Sequence, residues 1–232
     1  MPEGPMPMQL DGPGLAPLSG GKAAYLVILL HGVGANGNDL LYLARAWRNI
    51  LPTAEFIAPN APFPYDGAPE TRQWFSLQDR APEKLLAGLR EADAILDRFF
   101  NELLASRQLG DARLALAGFS QGAAMALYSG LRRQTQIAGI VAFSGALPGG
   151  EGLRSDIRSK PPVLLVHGEA DDVVPFRSLA NTKATLEAAG VPVTAEVRPG
   201  LDHAIDDAGI ALAADFLRDV LKASQGDARL LV

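Results

Sequence analysis

The 232-residue chain contains no cysteine. That excludes disulfides, thiolate metal sites and every mechanism built on a cysteine nucleophile. Histidine is scarce too, with only His31, His167 and His203, a scattered set that is poor for a catalytic zinc site. No metal and no cofactor is therefore expected. Long apolar runs are missing: the longest uninterrupted one, from Ala23 to Leu30, falls far short of the roughly 18 residues that mark a membrane helix, so no integral membrane segment is expected. Positive charge is not in excess either. With a formal net charge of −5, there is no broad basic surface to attract nucleic acid or an anionic membrane. The first nineteen residues carry Pro2, Pro5, Pro7, Pro13 and Pro17 but no cationic start followed by an apolar stretch, unlike a signal peptide. Together with the missing disulfide framework, this makes the cytoplasm the expected compartment.

What remains is an ordinary globular composition, 48% hydrophobic and 20% charged, long enough for a substantial core within one domain. The chain reads as a Pro/Gly-rich N-terminal segment over 1–21, a domain over 22–223 and a tail over 224–232. Short apolar runs at 25–30, 55–58, 114–117, 137–143, 163–166 and 193–197 read as strands. They lack strict alternation, as strands covered on both faces do. Between them, 39–50, 82–107, 121–131, 176–189 and 208–222 have helical length and spacing. The pattern predicts an α/β fold with a doubly wound, mainly parallel sheet. The stretch 59–81 breaks the rhythm. Its prolines and the aromatics Phe63, Tyr65, Trp74 and Phe75 predict a long irregular loop, either a pocket wall or lid or a surface loop pinned into the core by Trp74 and Phe75.

The chemistry concentrates where strand 114–117 runs into Gly118-Phe119-Ser120-Gln121-Gly122 and then a helix opening with Ala123 and Ala124. A strand-to-helix turn this tight needs glycine two positions before and two after the serine, and the strain pushes the hydroxyl outward. A serine hydroxyl is a weak nucleophile until a base takes its proton. All three histidines follow strands and are eligible by position. The order serine, acid, histidine leaves His167 and His203 after Ser120. An acid three residues beyond Gly168 can turn back toward the sheet edge, which nominates Asp171 to orient His203 as base. Asp172 and Asp202 are the competing acids. Two backbone amides are expected to bind the oxyanion. One is that of Gln121, at the start of a helix; the other is that of Val33, in the glycine-rich loop His31-Gly32-Val33-Gly34. That loop lacks the endings of a phosphate-binding loop.

Taken in order, these residues resemble the phospholipase/carboxylesterase family of α/β-hydrolases, which includes bacterial carboxylesterases and acyl-protein thioesterases. The resemblance rests on His31-Gly32-Val33-Gly34, Pro59-Asn60-Ala61-Pro62, Gln73-Trp74-Phe75, Gly118 to Gly122, His167-Gly168 with Asp171 and Val174-Pro175, and His203. It implies an α/β-hydrolase fold without a large cap domain and metal-independent hydrolysis of carboxylic esters, often of thioesters or lysophospholipids as well. It also implies that the stretch around Trp74 borders the acyl pocket, whose expected lining is Phe63, Trp74, Phe119 and Leu201. Val33 stands where the family commonly has leucine. The expected partner is a small-molecule ester of small or medium acyl chain, with a homodimer as a further expectation. A long-chain acyl thioesterase or lysophospholipase with the same triad is the alternative within enzymes, and a catalytically silent binding protein on the same fold is the alternative outside them.

Overall fold

The computed structural model describes residues 10–147 and 156–227. A seven-stranded sheet forms its centre, in the order β1-β3-β2-β6-β7-β8-β9. Its strands are β1 (Gly14–Leu15), β2 (Tyr25–Leu30), β3 (Ala54–Ile57), β6 (Leu114–Phe119), β7 (Gly139–Phe143), β8 (Val163–Gly168) and β9 (Val193–Arg198). All pair in parallel except β1, which runs antiparallel along the edge of β3 with Gly14 opposite Ile57. This edge strand lies within the Pro/Gly-rich segment, of which residues 1–9 are outside the described residues.

Strand β2 shows why these runs do not alternate. Leu26, Ile28 and Leu30 enter one core, and Tyr25, Val27 and Leu29 enter a second core on the opposite face. Both faces of the sheet are covered, so every position is apolar. The first core packs the sheet against α2 (Pro82–Arg107), α3 (Gln121–Arg132) and α4 (Arg177–Ala188); the second packs it against α1 (Leu41–Trp47) and α5 (Asp207–Asp227). Helix α3 is buried from Gln121 to Leu131, because its small residues let it lie directly on β2, β6 and β7. No described helix is long and apolar enough to cross a membrane.

Three local expectations need correction. The helix expected over 39–50 is a 3-10 turn, Gly37–Leu40, leading into the shorter α1. Asn36 starts it through a reciprocal capping box, its side chain accepting from the Asn38 amide while Asp39 accepts from the Asn36 amide. The irregular loop expected over 59–81 contains an antiparallel hairpin, β4 (Phe63–Tyr65) and β5 (Ala68–Gln73). Pro64 and Pro69 disguise it. In a two-stranded ribbon both strands are edges, where a missing amide donor is tolerated. The bland alternative for the aromatics describes Trp74 and Phe75, which are buried in the core. Helix α5 continues past the expected end at 222 to Asp227, and 228–232 lie outside the described residues.

The parallel register brings strand ends to one rim. Leu30 pairs with Gly118, Phe119 with Phe143, and His167 with Val197. Ligands of open α/β sheets bind along this carboxyl edge.

Candidate active site

Ser120 sits between β6 and α3 with φ 55° and ψ −117°, a left-handed backbone that costs a non-glycine residue roughly 1–3 kcal/mol and persists only where the surroundings impose it. The surroundings are backbone. A Cβ on Gly122 would lie 1.9 Å from the Leu30 carbonyl oxygen, and one on Gly118 would lie 2.3 Å from the Gly122 carbonyl oxygen. The Ser120 amide donates to the Phe143 carbonyl at 2.9 Å, fastening the turn to the neighbouring strand. Both glycines are therefore obligatory for helix–strand approach, and the serine is left at the rim.

On the far side of the rim, His203 Nδ1 lies 2.8 Å from Asp171 Oδ2. Its other neighbour is the Phe119 ring, at a centroid separation of 4.7 Å. Asp171 Oδ1 accepts from the Val173 and Val174 amides at 3.0 and 2.8 Å. Burial of the Asp171 carboxyl opposes ionisation. The His203 hydrogen bond, the Val174 amide and the charge interaction with His203 outweigh it and hold its pKa below the ordinary carboxylate value. The Ser144 hydroxyl adds to this lowering, though its geometry is too poor for a hydrogen bond. An ionised carboxylate can only accept, so the His203 proton resides on Nδ1 and its Nε2 is left free as an acceptor. Asp172 and Asp202 are both exposed, and neither bonds to His203 among the described residues.

The approach of His203 to Asp171 depends on Gly168. A Cβ there would lie 2.3 Å from the Leu201 carbonyl oxygen and 2.4 Å from that of Asp202. Without it, the loop before His203 settles onto the end of β8, and the Ala170 amide donates to Leu201 O at 2.9 Å.

The glycine-rich loop after β2 is braced from three directions. His31 is fully buried; its Nε2 accepts from the Ala61 amide at 2.9 Å and its Nδ1 donates to Gly32 O at 2.7 Å. Burial lowers the His31 pKa, so it is a neutral structural ring. Trp74 Nε1 donates to His31 O at 2.8 Å, and the Gly34 amide donates to Arg72 O in the hairpin at 2.8 Å. The Gln121 side chain ties the hairpin's exit to the elbow, accepting from the Trp74 amide at 2.8 Å and donating to Phe75 O at 2.7 Å. Between these braces, the Val33 amide has no acceptor within the chain among the described residues. The Gln121 amide opens α3, where no intrahelical carbonyl reaches it.

Ser120, His203 and Val33 line one cavity of about 590 Å³, together with Leu40, Tyr42, Phe119, Val173 and Ile205. The Ser120 hydroxyl makes no hydrogen bond among the described residues, an open contact of the kind that tightens when substrate binds. Of the expected pocket residues, Phe119 lines this cavity and three do not. Phe63 faces a separate cavity between the hairpin and α2. Trp74 is fully buried as a strut beneath the glycine-rich loop. Leu201 contributes its carbonyl to the contact with Ala170. Sequence reasoning missed Leu40, Tyr42, Val173 and Ile205. Two of these carried a usable signal, since Val173 and Ile205 each stand two residues beyond a nominated polar residue. The expected set contains no cluster of metal-ligating side chains, and none occurs among the described residues.

Comparisons with known proteins agree with this architecture. The family model described as Phospholipase/Carboxylesterase matches residues 18–221. Esterase YpfH of Escherichia coli K12 is 30% identical over 199 residues, covering 84% of this chain and 83% of its own. Acyl-protein thioesterase 1 of Neurospora crassa is 28% identical over 216 residues, covering 84% of this chain and 86% of its own. The crystal structure of esterase PE8 superposes with a TM-score of 0.87 at 42% identity, covering 92% of this chain and all of the other. With an α/β-hydrolase sheet, an elbow serine at its rim and a family match over most of its length, the chain belongs to the phospholipase/carboxylesterase family and is a carboxylic ester hydrolase.

Proposed function

We propose that the protein cleaves carboxylic esters of small or medium acyl chains through an acyl-enzyme, with Ser120 as nucleophile, His203 as base and Asp171 as its orienting acid. The observation that carries this reading is the 2.8 Å contact between His203 Nδ1 and Asp171 Oδ2, which leaves Nε2 unused by Asp171 on a ring that lines the same cavity as Ser120. His203 Nε2 removes the hydroxyl proton as Ser120 Oγ attacks the acyl carbon. The carbonyl π electrons move onto its oxygen, where the Val33 and Gln121 amides receive the charge. The C–O bond to the leaving group then breaks, and His203 returns its proton to the departing alkoxide. Water repeats the sequence on the acyl-enzyme, releasing the acid. Each oxyanion donor is worth about 10²–10³ in rate. The walls Leu40, Tyr42, Val173 and Ile205 suit an apolar acyl group.

One observation favours a second reading, hydrolysis of longer acyl thioesters: a relative over most of the chain is named an acyl-protein thioesterase. A series of acyl esters and thioesters of increasing chain length separates the two, since a short-chain esterase peaks early in the series. The mechanism itself is tested with a fluorophosphonate probe. Stoichiometric labelling of the protein, absent in Ser120→Ala together with all but a few per cent of turnover, is the expected result. An inert but folded wild-type protein favours the silent binding protein instead.

A further inference from the structure

His167 is the histidine that the mechanism leaves unused, and it stands against the acid that the mechanism needs. It lies in β8 and is 1% exposed. Its Nε2 is 2.9 Å from Val174 O and 3.3 Å from Asp171 Oδ2, the oxygen that also receives His203 Nδ1. A carbonyl only accepts, so the proton of His167 is on Nε2 and is donated to Val174 O, with Asp171 Oδ2 beside it. Val174 in turn donates its amide to Asp171 Oδ1 at 2.8 Å. Pro175, which follows Val174, restricts Val174 to extended backbone. The Phe176 ring stands edge-on to His167 at 6.2 Å and helps keep the imidazole in place.

We propose that His167 is a positioning residue that aims the Asp171 carboxylate at His203, by clamping Val174, whose amide holds that carboxylate, and by packing its ring edge against the same carboxylate oxygen. The inference rests on the triad reading above and assigns a role outside it. His167 touches no reacting atom; it removes freedom from the 169–174 loop. Displacements of about 1 Å near a reacting group can cost on the order of 10² in rate, which sets the scale of the effect.

The test uses kcat and KM on a short-chain nitrophenyl ester, measured in the full-length protein and again in an Asp171→Ala background. His167→Phe keeps a ring of similar size and loses the donor, and it is expected to lower kcat about 10- to 100-fold with KM changed less than about twofold. His167→Gln places an amide donor at the reach of Nε2 and should recover most of the loss. His167→Asn places its donor one bond short and should behave like Phe. In the Asp171→Ala background none of the three should lower kcat further, because residues acting as a unit are not additive. Normal kcat in His167→Phe and His167→Asn overturns the inference while the triad stands. So does a Gln variant as impaired as the Asn one, or the same loss with and without Asp171. A nearly normal Asp171→Ala overturns the triad reading and this inference with it. If the Phe variant fails to fold, the contrast between Gln and Asn decides the question alone.

Discussion

Two cavities of the molecule differ in kind, and the larger one is not the one that holds Ser120 and His203. The cavity between the hairpin and α2 encloses about 710 Å³ and presents Asp66, Asp79, Glu91 and Lys84 beside Phe63. The cavity over Ser120 encloses about 590 Å³ and is walled mainly by apolar side chains. The first has charge and a serine, Ser76, that donates to Asp66, but no histidine. The second has few polar groups, of which His31 is held by backbone and His203 by the buried Asp171. A strained turn and a restrained carboxylate set the smaller cavity apart, and volume says little about either.

The most severe way to break the contrast is to neutralise one carboxylate in each region. Asp171→Asn keeps the volume but removes the charge and favours the wrong histidine tautomer, and kcat should fall about 10⁴-fold. Asp172→Asn and Asp79→Asn, which alter formal charge equally, should each cost less than about threefold. If Asp172→Asn is the crippled variant, the assignment is off by one residue; if all three are normal, Asp202 is next. Gly168→Ala probes the same region through backbone. Its new methyl must push the 201–202 loop away from β8, so kcat should drop about 10²-fold with a measurable loss of thermal stability. An unchanged kcat would show that His203 reaches Asp171 without that close approach.

Milder changes sharpen the comparison at the walls. Tyr42→Ala and Val173→Ala should shift the preferred acyl length, changing kcat/KM ratios by about 3- to 10-fold, because each removes apolar contact from the cavity over Ser120. Phe63→Ala opens the other cavity and should leave those ratios alone; the reverse pattern would move the acyl site to the hairpin side. The smallest effect concerns stability. His31 has a folded-state pKa below its ordinary value of 6.5, so below that value the unfolded chain binds the extra proton. Its contribution is complete above pH 6.5 and is lost as the pH falls toward the folded value. Urea unfolding between pH 5 and 7.5 should show this decline, at most about 1.4 kcal/mol per pH unit from one proton. His31→Gln should flatten it, and identical slopes in the two proteins would remove His31 as the cause.

The parallel sheet was legible because both-face burial leaves apolar runs, and the elbow because its glycines are fixed by contacts with other backbone. Ser120 and His203 stand out in the sequence through a single chemical order, three histidines and one G-x-S-x-G, and the structure brings both to one cavity. The hairpin was hidden because Pro64 and Pro69 carry the local signature of an irregular loop, and only pairing across the ribbon redefines it. Trp74 was misplaced for a similar reason. Aromaticity marks a residue for a pocket wall and for a buried strut alike, and the hydrogen bond to His31 O that distinguishes them joins positions 43 residues apart.

Gln121 links two parts of the molecule that could otherwise be redesigned separately. It follows Ser120 directly at the start of α3, while its side chain is spent entirely on the Trp74 amide and the Phe75 carbonyl. Before those two anchors, the hairpin's hydrogen bond to the glycine-rich loop is made by main-chain atoms, from the Gly34 amide to the Arg72 carbonyl, and the Tyr65 ring packs beside Gly34. The hairpin is thus an exchangeable cassette. Grafted tips of different length or polarity can reshape access for new substrates, provided that the graft rejoins the chain ahead of Trp74 and keeps a carbonyl at Arg72 for Gly34.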